Sequence, residues 1–406
     1  MSDRPLVIKF GGTSVGGGAE FVRAARIAAE AAHSRPLAVV VSAMSGTTDT
    51  LLGYAEITTG ATKRTSTGAM HEGSVAELHR TLSGRHLRAA GEAVSPEHLP
   101  QVENRLSDLL EQLIEAVNEP AENAAARRAH VAVYGERLSA EILAGAIRSV
   151  GPPAAVVERD PIATNAGYDE AEVDAAETGV RSSRLVAPLL REGAVAVVPG
   201  YVGRSPEGLP TTLGRGGSDL SATVLGRALG SEEVWIMSDV DGVLDADPRL
   251  VPEATLMPHL SYRTAGLFAA LGAKVLHPKT MEPASEAGIE VRVRNTFNLE
   301  CSGTRVTERE DGAGIRCVAL RRRFAVELPC ASRRHSKKAA AVIGIGSPGN
   351  EDLKRGLRCL QDVGISPLHA GTTTAGLVFI VVPEAADEAL RALHGRLITP
   401  AAEVVA

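Results

Sequence analysis

Apolar residues fall into two kinds of run along this chain. Some runs are short and continuous: Leu6-Val7-Ile8-Lys9-Phe10, Leu37-Ala38-Val39-Val40-Val41-Ser42, Val195-Ala196-Val197-Val198 and Val234-Trp235-Ile236-Met237. Others recur at helical spacing, as Phe21, Ala25, Ala28 and Ala32 do between the first two. Continuous apolar strands separated by helices predict a parallel sheet covered on both faces. Ser218 to Leu229 reads as a helix between the last two strands. From about Leu51 to Ala146 the chain is mostly Ala, Leu, Glu and Arg with helical periodicity, as in Leu106, Leu109, Leu110, Leu113 and Val117. That stretch predicts a helical insertion beside the sheet.

The character changes around Asn295 to Val306. Gly303, Gly312 and Gly314 mark a linker. After it come a strand-like Arg316 to Leu328, a basic break at Arg333-Arg334-His335 and a strand from Ala339 to Ile345. A helix from Glu351 to Val363, strands at Pro367 to Thr372 and Leu377 to Val382, and a helix from Ala385 to Gly395 follow. These elements predict a small α+β domain. The basic break reads as a solvated loop.

Composition narrows the function classes. The length of 406 residues suits two or three domains. With 44% hydrophobic and 23% charged residues, the chain has the makeup of a packed globular protein, not a disordered one. Its net charge of -6 argues against nucleic acid or an anionic membrane as partner. No apolar run reaches the roughly 18 residues of a membrane span. The chain opens directly into a strand, so no signal peptide is expected. Cys301, Cys317, Cys330 and Cys359 lack metal-type spacing, so reduced thiols in a cytoplasm are expected, with no resident protein-held metal. Lysine is scarce, which makes one inside a glycine-rich motif stand out.

Four motifs carry candidate chemistry. In Lys9-Phe10-Gly11-Gly12-Thr13-Ser14 a strand ends in Lys and opens into a glycine turn. Such a turn brings backbone N–H groups close to a polyphosphate, and the following helix start adds positive potential. No Gly-Lys-[Ser/Thr] closes it, so it is not a P-loop. Thr211-Thr212-Leu213-Gly214-Arg215-Gly216-Gly217-Ser218-Asp219 carries a fixed cation, a hydroxyl and a carboxylate into a helix start. Ser218 and Asp219 are also candidates for its N-cap. Arg215 suits two-bond recognition of a carboxylate. Ser238 to Arg249 superficially resembles an EF-hand loop, but its Gly is misplaced and no Glu closes it. A turn whose acids and hydroxyl face a nucleotide or its magnesium suits it better. Gly272-Ala273-Lys274-Val275-Leu276-His277-Pro278 adds a second Lys on a short turn.

Taken together, and in this order, the motifs resemble those of the aspartokinases, in the amino-acid kinase superfamily. The likeness runs from Val7 to about Val306. It includes Lys-Phe-Gly-Gly-Thr-Ser-Val at 9–15, Val41-Ser42-Ala43-Met44 with Thr48, Tyr134 to Ser139, and Gly200-Tyr201. It continues through Gly214 to Asp219, Asp239 to Arg249, Gly272 to Pro278 and Val291 to Phe297. The resemblance implies an α/β fold, an αβα sandwich around a mainly parallel sheet, over residues 1–300. The substrate half is expected at about 1–200 and the nucleotide half at about 201–300. It also implies ATP and Mg2+ as cofactors and L-aspartate as substrate, with 4-phospho-L-aspartate as product. The entry step to aspartate-derived amino acids, lysine and threonine included, follows from that. Another amino-acid carboxylate as acceptor, or a non-catalytic effector-binding protein, are the alternatives.

Residue roles follow from the same likeness. Lys9 would stabilise the transferring phosphoryl group, with Gly11, Gly12 and Thr13 along the phosphate path. Asp219 would orient Lys9. Ser42 and Thr48 would hydrogen-bond the substrate, Glu136 would meet its ammonium and Arg215 its α-carboxylate, with Ser218 between substrate and phosphates. Tyr201 stands where the family usually has Phe. Ser238, Asp239, Asp247, Arg249 and Lys274 would serve the nucleotide. Two segments depart from the family: Leu244 replaces a common Tyr, and Ser261 to Leu267 lacks the usual acids.

Near the C-terminus, Gly344-Ile345-Gly346-Ser347-Pro348-Gly349 fits G-x-G-x-x-G. No acid follows at the next strand's end, so a dinucleotide site is not expected. The segment instead resembles an ACT domain. One unit is expected, about Ala339 to Leu397, with Arg316 to Leu328 as a shortened remnant of another. Residues 301–406 then form a linker and a shortened ACT-like region, a surface for a homodimer or higher oligomer. Ala370 to Ala375 lacks a carboxylate for an effector ammonium. Weak or absent inhibition by lysine and threonine is therefore expected.

Overall fold

The computed structural model describes residues 4–57, 75–271, 277–309, 312–328, 335–374 and 376–398. Its first elements are β1 (Leu6–Phe10), α1 (Gly18–Ala32), β2 (Leu37–Val41) and α2 (Thr47–Ile57). The insertion follows as α3 (Val75–Ala93), α4 (Leu99–Asn118), α5 (Ala124–Ala132) and α6 (Tyr134–Val150). Then come β3 (Ala154–Val156), α7 (Ala175–Leu185), α8 (Ala187–Arg191), β4 (Val195–Pro199), β5 (Val202–Arg204), β6 (Pro210–Thr212), α9 (Gly217–Leu229) and β7 (Glu233–Ser238). The chain continues through β8 (His259–Ser261), α10 (Tyr262–Ala270), α11 (Pro278–Ala287), β9 (Glu290–Asn295) and β10 (Thr304–Thr307). It ends in β11 (Gly314–Leu328), β12 (His335–Ser347), α12 (Asp352–Asp362), β13 (His369–Thr373), β14 (Gly376–Val381) and α13 (Ala386–Leu397).

These elements gather into two compact units that do not follow chain order. One holds the described residues up to Asp239 together with Glu282–Leu299; the other holds Val240–Met281 and the described residues from Glu300 onward.

In the first unit the strands run β3-β4-β2-β1-β7-β9, every pair parallel. β2 and β4 are buried at every position, which is why their sequences show no alternation. β1 pairs with β2 on one side and β7 on the other. The chain order therefore reverses at β1, and in such sheets a crevice opens beyond the carboxyl ends of the strands. Four segments gather there: Gly11 after β1, Ser42 after β2, Gly200-Tyr201 after β4 and Asp239 after β7. The expected helical insertion forms beside the sheet. α4 buries Val102, Leu106, Leu110, Leu113 and Val117 on one face. Leu109, in the same periodic run, is only partly buried. Truncating one of the buried leucines to Ala costs about 2–5 kcal/mol. Part of the stretch, residues 58–74, lies outside the described residues.

In the second unit β11-β12-β14-β13 form one antiparallel sheet, with α12 and α13 packed together and α13 against β11 and β12. The strand expected as a remnant of another module is instead the edge strand of this one. Alone it would leave its backbone groups unpaired; along β12 it pairs those that face that strand. The G-x-G-x-x-G glycines also find their reason here. Gly344 and Gly346 lie within β12, and a Cβ on Gly346 (φ 145°) would stand 2.3 Å from the Gly314 carbonyl oxygen. They permit close strand approach, not phosphate binding. Arg333 and Arg334 of the basic break lie outside the described residues. Among those residues no helix is long and apolar enough to cross a membrane.

Candidate active site

The crevice of the first unit is a cleft of about 650 Å³. Lys9, Gly12, Ser42, Thr48, Glu136, Tyr201, Arg215, Ser218 and Asp219 all line it. Lys9 lies on β1, against which α9 packs. Its Nζ sits 2.5 Å from Asp219 Oδ1, off hydrogen-bond alignment, so the two are held by charge. Asp219 stands in the first turn of α9, where a carboxylate suits the helix dipole. The cap of that helix is Gly216, at φ 73°, with no side-chain cap bond. Ser218 and Asp219 are thus not N-caps, and their side chains remain available to the cleft. Gly12 is required by proximity: a Cβ there would lie 2.9 Å from the Ala43 carbonyl oxygen.

Tyr201 adopts φ 65°, an outlying conformation for a bulky residue. Its N–H donates to Ser221 Oγ (2.9 Å) and its carbonyl accepts from Leu213 N–H (2.9 Å). Its ring packs so closely on Gly217 that a Cβ there would come within 2.6 Å. The phenol's pKa is raised by burial, against a hydrogen bond with Thr212 that lowers it.

Glu136 opens α6 and is only 3% exposed. Burial pushes its carboxyl up to about 8, although the N–H groups of Ala43 and of Glu136 itself favour the charged form. Oε2 has no hydrogen-bond partner among the described residues. A buried carboxyl with a free oxygen beside a cleft is built to receive a cation. Arg215 is exposed, a guanidinium open to a second carboxylate.

Not all expected residues meet here. Gly11 is buried beside Lys9, where a Cβ would sit 3.3 Å from Nζ. Thr13 is exposed on the 3-10 turn after it. Ser238 ends β7 and Asp239 follows it, with Ser238 Oγ donating to Asp239 Oδ1 (3.1 Å). Asp247 and Arg249 belong to the second unit, where Arg249 Nε bonds Asp247 Oδ1 (2.9 Å) and Nη2 bonds Oδ2 (2.5 Å). Lys274 lies outside the described residues. Of the two departures, Leu244 bridges Leu256, and Ser261 accepts from Thr264 N–H (3.1 Å) as the cap of α10. Arg128 and Asp169, which no sequence motif marks, also line the cleft. Arg128 Nε donates to Asp169 Oδ2 (2.8 Å), and Nη2 bonds the same oxygen. Asp169 follows Tyr168, at φ 49°, in a polar loop whose side chains have no periodic signature.

A strand-end lysine paired with a helix-start carboxylate, beside a buried acid and an open guanidinium, is suited to holding a small molecule that carries both signs of charge. A sequence profile of the amino acid kinase family matches residues 4–295; the chain belongs to that family. Its curated relatives include aspartokinases. Chloroplastic aspartokinase 3 of Arabidopsis thaliana is 34% identical over 313 residues, 75% of this chain and 53% of the relative. The chain spans about half the length of the curated relatives it matches. Two solved structures of E. coli aspartokinase III share the fold. The complex with aspartate and ADP (R-state) matches with TM-score 0.76 at 24% identity, over 96% of this chain and 99% of that one. The complex with lysine and aspartate (T-state) matches with TM-score 0.78 at 24% identity, over 98% and 100%.

Proposed function

We propose that this chain is an ATP-dependent kinase for the β-carboxylate of L-aspartate, making 4-phospho-L-aspartate. The observation that carries the reading is Glu136, buried with a free Oε2 in the same cleft as Arg215 and the Lys9–Asp219 pair. An α-amino acid needs an anion for its ammonium and a cation for its α-carboxylate; Glu136, giving up its proton as the ammonium binds beside it, and Arg215 would supply them. Support comes from relatives named aspartokinases and from the E. coli enzyme crystallised with aspartate and ADP.

The reaction is in-line attack of a β-carboxylate oxygen on the γ-phosphorus. One O–P bond forms as the bond to ADP breaks. The nucleophile is already ionised, so no general base is required. Lys9 neutralises charge on the transferring group, Asp219 holds Lys9 in place, and Ser42, Thr48, Ser218 and Tyr201 orient the acceptor. Gly11, Gly12 and Thr13 would line the phosphate path, and Ser238 and Asp239 would serve the nucleotide; for Asp247, Arg249 and Lys274 the same role is proposed from the family likeness alone. Magnesium carried on phosphate oxygens would supply further charge neutralisation, with Asp219 as the cleft carboxylate that suits it. Among the described residues no cluster of three His, Cys, Asp or Glu could hold a metal on its own.

Residues 1–300 would carry catalysis, and the C-terminal ACT-like sheet would serve homo-oligomer formation. The described cysteines Cys301, Cys317 and Cys359 are in no disulfide, which suits a reducing cytoplasm. The test is ADP release with ATP and, in turn, aspartate, glutamate, N-acetylglutamate and carbamate. Aspartate-dependent ADP release is expected. A preference for another acid would move the acceptor, and no release with any acid would overturn the kinase reading.

A further inference from the structure

In the second unit, the segment from Val243 to Met257 folds back on itself. Asp245 N–H donates to the Thr255 carbonyl (3.0 Å), Met257 N–H donates to that of Val243 (2.9 Å), and Leu244 bridges Leu256. The far end of this hairpin carries Asp247, Pro248 and Arg249. At its base the Asp245 carboxylate is 2% exposed. Oδ1 accepts from Thr255 N–H (3.0 Å) and Oδ2 from the Thr255 hydroxyl (2.7 Å). The other group on Oδ1 is His394 Nε2, at 2.9 Å. A carboxylate only accepts, so His394 makes this bond through Nε2–H. His394 lies in the last turn of α13 and is 7% exposed. The Asp245 carbonyl also accepts from Val318 N–H of β11 (2.8 Å). Ala246 and Val251 share a core with Phe379, Leu390 and Leu393.

Apolar packing alone would bury this hairpin but would not fix its register. An apolar pair in place of a buried carboxylate and imidazole often stabilises a fold as well or better. What the pair adds is direction: one bond from the C-terminal sheet-and-helix module to the residue that begins the turn bearing Asp247 and Arg249. We infer that His394 is a positioning residue for nucleotide binding, fixing through Asp245 the hairpin that presents Asp247-Pro248-Arg249. The inference rests on the nucleotide role proposed above for Asp247 and Arg249. It gives the C-terminal module a task in nucleotide binding apart from any effector: the module is the platform on which the nucleotide hairpin is set.

The test uses the full chain with His394→Phe, which keeps bulk and removes the donor, and His394→Gln, which restores one. His394→Phe should raise KM for ATP at least about 5-fold, with kcat and KM for aspartate within about 2-fold of the parent. His394→Gln should recover most of the loss. Independently of activity, amide exchange at Thr255 and Met257 should quicken in His394→Phe at least about 10-fold, while β12 amides keep their protection. An unchanged KM for ATP, equal rises in both KM values, or unchanged exchange would overturn the inference. Should His394→Phe not fold, His394→Leu, a smaller side chain that also lacks the donor, gives the same readouts. Arg249→Ala separates the two layers of the argument. If it raises KM for ATP and His394→Phe does not, only the positioning role is lost; if it leaves KM for ATP unchanged, the nucleotide reading of the hairpin fails and this inference with it.

Discussion

Glu136→Gln should make the ligand-free protein more stable while making it a far worse enzyme. The ordinary glutamate value of 4.5 is raised to about 8 by burial, which corresponds to roughly 5 kcal/mol against the charged form. Between those two values the folded protein keeps the proton and the unfolded chain has lost it. Stability therefore falls as pH rises through that window, and above about 8 the full penalty is present. Glutamine cannot ionise and escapes the decline. Its amide, without a partner at the Oε2 position, costs about 1–3 kcal/mol, leaving a net gain of about 2–4 kcal/mol at about pH 8.5. At about 2 °C per kcal/mol for a unit of this size, the unfolding midpoint should rise by at least about 4 °C at about pH 8.5 and stay level or fall at about pH 5. Glutamine also cannot give up a proton when the substrate ammonium arrives, as Glu136 can, so kcat/KM for aspartate should drop at least about 100-fold. Thermal unfolding of both proteins across that pH range, with initial rates alongside, checks both halves. Parallel pH profiles, or a glutamine variant that unfolds earlier at the alkaline end, would refute the burial argument. Retained activity would remove Glu136 from the acceptor site.

Lys9→Ala should lower kcat at least about 100-fold with its circular dichroism intact, as for loss of a preorganised transition-state donor; a near-normal kcat would take Lys9 out of the mechanism. Arg215→Lys should raise KM for aspartate strongly and KM for ATP much less, because an ammonium cannot reproduce the planar two-bond grip of a guanidinium; the reverse pattern in initial-rate kinetics would place Arg215 on the nucleotide side. Millimolar lysine plus threonine should inhibit weakly or not at all, since Ala370 to Thr374 offers no carboxylate to an effector ammonium; loss of most activity in that assay would show that the tail still builds a regulatory site.

The amino-acid sequence by itself determined the elements whose causes are local. Continuous apolar runs became β1, β2, β4 and β7 because strands of a parallel sheet are buried on both faces. The turn after Lys9 and the helix start after Arg215 were legible because glycine demands are set within a few residues. Tertiary structure alone decided the rest. The cap of α9 went to Gly216, leaving Ser218 and Asp219 to the cleft. The pair of Asp219 with Lys9 was expected from the family likeness alone; no local pattern from Gly214 to Asp219 marks it, because the two segments meet only when α9 packs on β1. Burial of Glu136 with a free Oε2, the Arg128–Asp169 pair, β11 joining the sheet of β12, and His394 reaching Asp245 all bring together segments far apart in the chain. Contacts of that kind depend on how whole elements pack, and packing between distant segments leaves no periodic trace in the residues that make it.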